Sequence, residues 1–414
     1  MSGDVVIVGG GVIGSACAYF LAKAGCRVTI VEQGQFGRGC SHGNCGFVSP
    51  SHVLPLATPG AARHAIRSMM SPDSPFYIKP RLNFTLWRWL WKFARRCNVR
   101  DMMESARAIQ ALLNSSRSLY DEIIAGEAMD CEWQTLGILF VLATQQGMED
   151  FAHHVQLLRD EFNVSVKRFD GPEVDRLEPA LKPGLAGGWL FDWDAHLRPD
   201  RLMAAWRQVL ERRSVTIREN FAVRGIIREG RTAKTLVTSQ EEFAAEMFVF
   251  ATGAWTPLLA KELGCPIPIQ PGKGYSMTMA RPGICPKLPL LFEQHRVAVT
   301  PMHSGYRLGS TMEFAGYDAT LNPRRLALLK AGAEHYLREP YGEPVVEEWF
   351  GWRPMTWDSR PIIDRSPALD NVWIAAGHNM LGVSMAPATG RLLAEVMSGT
   401  TPHIDPQPYR ATRF

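Results

Sequence analysis

Gly9, Gly11 and Gly14 stand in the spacing G-x-G-x-x-G, and Glu32 follows at about the 20-residue interval at which an acid accepts ribose hydroxyls. Gly9 permits a tight turn, Gly11 lets the backbone approach a pyrophosphate at a helix N-terminus, and Gly14 allows close helix–strand contact. Glu32 would repel a 2′-phosphate. The pattern fits a dinucleotide and does not by itself separate FAD from NAD. Arg353 offers a planar two-donor fork that matches a carboxylate, although its type and its neighbour Pro354 fit a surface arginine beside a kink equally well. Tyr275 could hydrogen-bond a substrate, but a strand tyrosine is more often core or rim. Cys40 and Cys45, with four residues between them, have the spacing of a flavin disulfide redox pair. Such an enzyme also needs a site for NAD(P)H, and no second G-x-G-x-x-G follows a strand. H-E-x-x-H is absent and no Cys/His group has zinc spacing, so no metal is expected.

The elements that must position these residues follow from hydrophobic pattern and glycine placement. Val5-Val6-Ile7-Val8 is a β-branched run of the kind buried on both faces of a parallel sheet. It leads through the glycine turn into a helix from about Val12 to Lys23 that stops at Gly25, and a strand from Arg27 to Val31 ends in Glu32. Met247 to Phe250 reads as a buried strand opening into a small-residue turn at Thr252, Gly253 and Trp255. Asn371 to Ala376 reads as another strand, followed by the loop Gly377, His378, Asn379, Met380, Leu381 and Gly382 and a helix from about Ser384 to Met397. Backbone N–H groups and a helix N-terminus placed there suit the anionic N1–C2=O edge of a reduced flavin. These two segments favour FAD.

The chain has 414 residues with 46% hydrophobic and 21% charged side chains, which excludes disorder, collagen-like repeats and coiled coil. A net charge of +4, evenly spread, is too small for an electrostatic nucleic-acid binder. The 8 cysteines are sparse, as in a reduced cytoplasmic protein. The uncharged runs Val5–Ala22 and Asn371–Gly390 carry glycines, and the second also His378, Asn379 and Pro387; neither is expected to be a signal peptide or to span a membrane.

Together with the glycine fingerprint, Asn44-Cys45-Gly46 with Ser49-Pro50, Lys273-Gly274-Tyr275-Ser276, Gly351-Trp352-Arg353-Pro354-Met355-Thr356 and Gly377-His378 with Leu381-Gly382 resemble the D-amino-acid oxidase/glycine oxidase superfamily over nearly the whole chain. The likeness is strongest to the bacterial D-amino-acid dehydrogenases. It implies an α/β fold: a discontinuous, Rossmann-like FAD domain of the glutathione-reductase type, over 1–65, 146–178, 199–263 and 350–414. An inserted α+β substrate domain with an antiparallel sheet is then expected over 66–145, 179–198 and 264–349. Besides the residues above, it implies that Val12, Ile13, Gln33, Ser41, His42, Gly43, Asn44, Cys45, Gly46 and Val223 touch the cofactor. It implies Arg353 as the carboxylate clamp, with Tyr275 beside it.

The family's covalent histidine has no match, since His42 is one position out of phase, so FAD is expected to be non-covalent. The resemblance implies oxidation of a D-amino acid by hydride transfer from Cα to flavin N5, the imine then hydrolysing to a 2-oxo acid and ammonia. A glycine- or sarcosine-type oxidase using oxygen is the alternative. Val383-Ser384 replaces a Trp-Thr pair and His52 stands where a Tyr is familiar, so the preferred substrate could differ from D-alanine. A cyclic D-imino acid, D-proline or a hydroxy-D-proline, is the expectation.

On a helical wheel Arg81, Arg88, Lys92, Arg95 and Arg96 fall on one arc while Phe84, Leu86, Trp87, Leu90, Trp91, Phe93 and Ala94 cover the rest. One expectation is a helix that buries its aromatics in the substrate domain. The other is peripheral contact with the inner face of the plasma membrane, which suits electron delivery to a quinone or respiratory chain.

Overall fold

The computed structural model describes residues 3–63, 69 and 73–414. The boundaries 65 and 66 expected between the first two segments lie outside them. The N-terminal strand is Asp4–Val8, and its alternate residues are buried on opposite faces: Val5 and Ile7 against helices, Val6 and Val8 against a small sheet. That two-sided burial is why the run is β-branched and unbroken by polar residues. The strand lies fourth in a six-stranded sheet ordered Ile362–Arg365, Val372–Ala376, Met247–Phe250, Asp4–Val8, Arg27–Glu32, Thr216–Glu219. All neighbours are parallel except the first pair. The helix Val12–Lys23 ends as expected, its last turn followed by Gly25 at φ +93°.

On one face of this sheet the Val12–Lys23 helix packs against the helix Gly382–Ser398. Their backbones touch where a Cβ at Gly390 would stand 2.5 Å from the carbonyl of Ala16. Pro387 sits inside the Gly382–Ser398 helix and has no N–H to give to Val383. The freed Val383 carbonyl accepts instead from the buried Tyr120 hydroxyl at 2.7 Å, and the Ala388 N–H donates to Ser116 Oγ at 3.0 Å. Both partners come from the long helix Val99–Gly126. Tyr120→Phe should therefore cost about 1–2 kcal/mol, read as a lowered urea midpoint at unchanged slope, because a buried carbonyl loses its partner. An unchanged midpoint would remove the hydroxyl from the account. On the other face lies a three-stranded antiparallel sheet, Val223–Glu229, Thr232–Thr238 and Glu242–Ala244.

A second, nine-stranded sheet roofs the first. Its order is Val345–Thr356, Ile269–Met279, Gly305–Phe314, Val297–Met302, Leu290–Phe292, Ile138–Leu142, Gly187–Phe191, Lys167–Asp170, with Phe76–Ile78 added beside Gly305–Phe314. It is mostly antiparallel, as expected. Lys167–Asp170, in a segment expected to belong to the nucleotide unit, pairs with Gly187–Phe191 at this roof's edge. One roof face packs Leu139, Val141, Tyr275, Met277, Leu290, Phe292, Val299 and Leu308 against the helix Pro323–Glu334. The alternate residues face the other sheet and line the space between. Among the described residues no helix is long and apolar enough to cross a membrane.

Candidate active site

A cavity of about 590 Å³ runs from the glycine turn to the underside of the roof. At one end are Gly9, Gly11, Val12, Ile13, Glu32 and Gln33. Gly14 lies behind this wall: a Cβ on it would fall 1.9 Å from the Gly9 carbonyl oxygen, so it is glycine for contact between helix and turn. Gly9 needs its φ of +108°, and a Cβ there would meet the Ala251 carbonyl at 2.5 Å. At Gly11 only Ser41 Oγ, 3.3 Å away, approaches, which leaves the cradle open on the cavity side. Glu32 accepts from Gly10 N at 2.7 Å and Gly34 N at 3.0 Å and still borders the cavity. Thr252, Gly253, Trp255 and Val223 complete this end. An open glycine cradle at a helix N-terminus, with an acid at the next strand's end, fits the adenosine diphosphate part of FAD.

The segment after Glu32 wraps the middle of the cavity. Ser41 Oγ accepts from Val12 N at 3.0 Å, Asn44 Oδ1 accepts from Gly46 N at 2.7 Å, and Ser41, Gly43, Asn44, Cys45 and Gly46 all line the wall. Gly43 is small because Trp349 lies on it; a Cβ would fall 2.2 Å from the indole. His42 departs from the expectation. Its ring turns to Glu347, with Nε2 2.9 Å from Oε1, and it does not line the cavity. Gly39 to Gly43 also spells G-x-S-x-G, but Ser41 holds a backbone N–H, His42 faces Glu347, and no strand leads into the turn, so no nucleophile elbow exists.

His378, Asn379, Met380, Leu381 and Gly382 line the opposite side, before the N-terminus of the helix Gly382–Ser398. Gly377 does not reach the cavity; it supplies a φ of +83°. Asn379 ties the loop to the roof, accepting from Thr356 N at 2.9 Å and donating to the Gly377 carbonyl at 2.8 Å. Burial pushes the His378 imidazole down to about 3, and its Nε2 lies 3.0 Å from Thr389 Oγ1, so a neutral ring borders the cavity. Ser384, the departure noted above, accepts from Ser49 N at 3.2 Å and donates to the Phe47 carbonyl at 3.0 Å.

Arg353 reaches under the roof from Val345–Thr356, where a Cβ on Gly274 would collide with its guanidinium at 2.2 Å. It donates to the carbonyls of Thr311 at 2.8 Å and Ser310 at 2.9 Å. Its pKa is held below the ordinary arginine value by burial, against smaller effects of Cys40 and Cys45, and among the described residues no carboxylate pairs with it. A desolvated cation that faces no carboxylate is costly unless an anion comes to it. Tyr275 takes another course. Gly274 faces the cavity, so the side chain next along the strand points to the opposite face. Tyr275 is nonetheless among the residues that line the cavity, and its hydroxyl donates to buried Glu313 at 2.9 Å.

Cys40 and Cys45 are free thiols beside the cavity. Burial pushes Cys40 up to about 11 and raises Cys45 too, opposite to what a reactive dithiol needs. The far end of the cavity is apolar, with Ile138, Phe140, Leu291 and Ala298, and has His52 as its polar group. Burial pushes His52 down to about 4, and its ring has no protein hydrogen bond among the described residues. The neighbouring Ser51 gives N–H at 3.0 Å and Oγ–H at 2.6 Å to buried Asp194, which burial lifts to about 7.

Raised in the folded chain, Asp194 contributes stability that is full below pH 3.8 and falls away as pH rises toward 7. Asp194→Asn should lose that slope, the difference amounting to at most ~4 kcal/mol between pH 4 and 7. Melting curves of the two proteins that stay parallel across this range would refute it.

Trp349, Trp352 and Arg224 also line the cavity and were not foreseen. Trp349 had one sequence signal, the small residues Gly43 and Gly351 that make room for it. Trp352 meets Trp255 edge-on at 5.4 Å, a contact between segments far apart in the chain.

Residues 4–396 match the family described as DAO, FAD dependent oxidoreductase. A D-amino acid dehydrogenase of Xanthobacter autotrophicus is 32% identical over 424 residues and one of Granulibacter bethesdensis 30% over 420, with 99% of each chain covered. Among solved structures, glycine oxidase from Geobacillus kaustophilus superposes with a TM-score of 0.81 at 23% identity, covering 100% of this chain and 99% of that one. L-proline dehydrogenase from P. horikoshii gives 0.74 at 20%, covering 100% and 98%. With its glycine cradle, its roofed cavity and a family match over nearly its whole length, the chain belongs to the DAO family of FAD-dependent oxidoreductases.

Proposed function

We propose that this protein is a dehydrogenase of D-amino acids, with a cyclic D-imino acid such as D-proline or a hydroxy-D-proline as its substrate. Arg353 carries the reading: a guanidinium under the roof, braced by two carbonyls and facing no carboxylate, suits the substrate's carboxylate. The relatives named D-amino acid dehydrogenase support the substrate class. Bound FAD, held without a covalent link, supplies the two-electron acceptor for the hydride from Cα. Arg353 fixes the carboxylate, the roof excludes water, and His378 borders the site as a neutral ring. Tyr275 lines the cavity and, through its hydrogen bond to Glu313, holds the strand that carries Gly274. The apolar end accommodates a ring, and His52 offers a neutral donor and acceptor to a ring substituent. An open-chain product hydrolyses to a 2-oxo acid and ammonia; a cyclic one remains a ring imine. The electrons pass to a quinone or the respiratory chain, with the protein in the cytoplasm against the inner face of the plasma membrane.

Anaerobic absorbance during titration with D-proline, hydroxy-D-prolines and D-alanine, with the L-forms of these, and with glycine and sarcosine tests this. Bleaching of the flavin band by D-substrates alone is expected, the cyclic ones acting at the lowest concentrations, and acid precipitation should leave the flavin in the supernatant. Bleaching by glycine or sarcosine with rapid recovery in air would favour an amine oxidase. A band untouched by any of them would end the amino-acid reading.

A further inference from the structure

The sequence left open whether the segment from Arg81 to Arg96 buries its aromatics or shows them, and the structure does both. The helix Phe84–Arg96, capped by Asn83, packs Leu86, Trp89 and Phe93 into a core with Phe314 and Trp357. A second apolar stripe is turned outward at helical spacing: Phe84 is 81% exposed, Trp87 44% and Trp91 56%, with Leu82 beside them fully exposed. Large side chains standing together in this way are uncommon on a monomer unless something covers them. Trp87 is pinned in place, its indole N–H donating to the Arg81 carbonyl at 3.0 Å.

The charge around the stripe is of one sign. From Ser74 to Arg100 there are seven lysines and arginines and no acidic residue. Arg96 is paired with Asp101 and Arg95 lies over Trp91, while Arg88 has no partner among the described residues. Beside the stripe is a cleft of about 560 Å³ between this helix and the segment Pro266–Pro271. Arg81, Arg88 and Lys92 line it, and none of its lining side chains is acidic. Arg81 Nε is buried there with no hydrogen-bond partner, and the Lys92 ammonium rests 4.1 Å above Trp357.

We propose that this face docks on an anionic lipid bilayer, the outward stripe entering the headgroup region and the cleft of Arg81, Arg88 and Lys92 receiving a lipid phosphate. A bilayer is favoured over a protein partner by the combination itself. Tryptophan and phenylalanine on one edge, and on the next cations with no acidic partner among the described residues, match the two layers of a membrane surface, apolar below and anionic above. The site also bears on the electron path, because Leu258, 63% exposed, lines both this cleft and the cavity of the active site. This inference deepens the peripheral-membrane part of the function proposed above and rests on it, while its test does not depend on substrate.

The flavin-loaded full-length protein is sedimented with vesicles of phosphatidylcholine alone and with 30% phosphatidylglycerol. At least tenfold more protein should pellet with the anionic vesicles, and raising salt from 0.05 to 0.5 M should reverse most of it. Trp87→Ser/Trp91→Ser and Arg88→Glu/Lys92→Glu should each lower binding at least tenfold while keeping the flavin content and bleaching by D-substrate. Equal pelleting with both vesicles, or none, overturns the proposal. So does binding of inorganic phosphate without vesicle binding, or a dimer in light scattering that the tryptophan variant splits, which would assign the face to a second copy. Failure of D-substrates to bleach the flavin would instead count against the proposed reaction and leave the docking result standing.

Discussion

Arg353→Ala should retain FAD and lose roughly 2–4 kcal/mol of transition-state stabilisation in kcat/KM, a fall of about 30- to 1000-fold. The guanidinium is fixed before any substrate arrives, because the Thr311 and Ser310 carbonyls take one donor from each terminal nitrogen and leave the others free. Pre-positioning of this kind means that little ordering is needed when a carboxylate binds, so most of a charge-assisted, two-point contact is realised. Arg353→Lys should recover only part of the loss, since an ammonium cannot brace on both carbonyls and hold two carboxylate oxygens together. Steady-state kinetics with the best D-substrate and the flavin absorbance of each purified variant decide the matter. Unaltered kcat/KM in Arg353→Ala would take the residue out of the site.

The second large effect separates two glycines three residues apart. Gly14→Ala should abolish recovery of yellow protein, lowering flavin per chain by more than tenfold, because its Cβ, rigidly fixed to the helix backbone, would stand 1.9 Å from the Gly9 carbonyl oxygen, itself a backbone atom. Neither can move without opening the turn or lifting the helix Val12–Lys23 from the central strand. Gly11→Ala meets only the Ser41 hydroxyl, at 3.3 Å. It should fold with wild-type circular dichroism and bind FAD weakly, since the added methyl faces the cavity where the pyrophosphate must approach. Flavin content and circular dichroism on both proteins give the comparison. A Gly14→Ala protein with normal flavin would show that the contact yields, and a normal Gly11→Ala protein would place the pyrophosphate elsewhere.

The local elements were legible because each is fixed by a short stretch of chain. Val5 to Val8 is apolar at every position since both its faces are covered, and the helix after it is flanked by Gly9 and Gly25, whose positive φ angles are demanded on the spot. The same holds for the loop before Gly382, whose glycine and asparagine supply the positive φ angles of Gly377 and Asn379. Arg353 was readable as a carboxylate ligand by type, yet type alone left a surface arginine equally open.

What tertiary structure decided is which side of a strand or helix each residue shows, and to whom. Tyr275 lines the cavity next to Gly274, which admits the guanidinium, yet its hydroxyl is taken by buried Glu313. His42 sits within a run whose other members line the cavity, but Glu347, about three hundred residues later, turns its ring aside. Cys40 and Cys45 have the spacing of a redox pair, and burial beside the cavity raises both thiols instead of activating them. The helix Phe84–Arg96 has aromatic residues in two directions, and only the position of the core shows that Trp89 is inside and Trp87 and Trp91 are outside. Spacing along a chain determines turns, strands and the residues able to do chemistry. Which way these residues face, and what takes their polar groups, depends on segments up to hundreds of residues away.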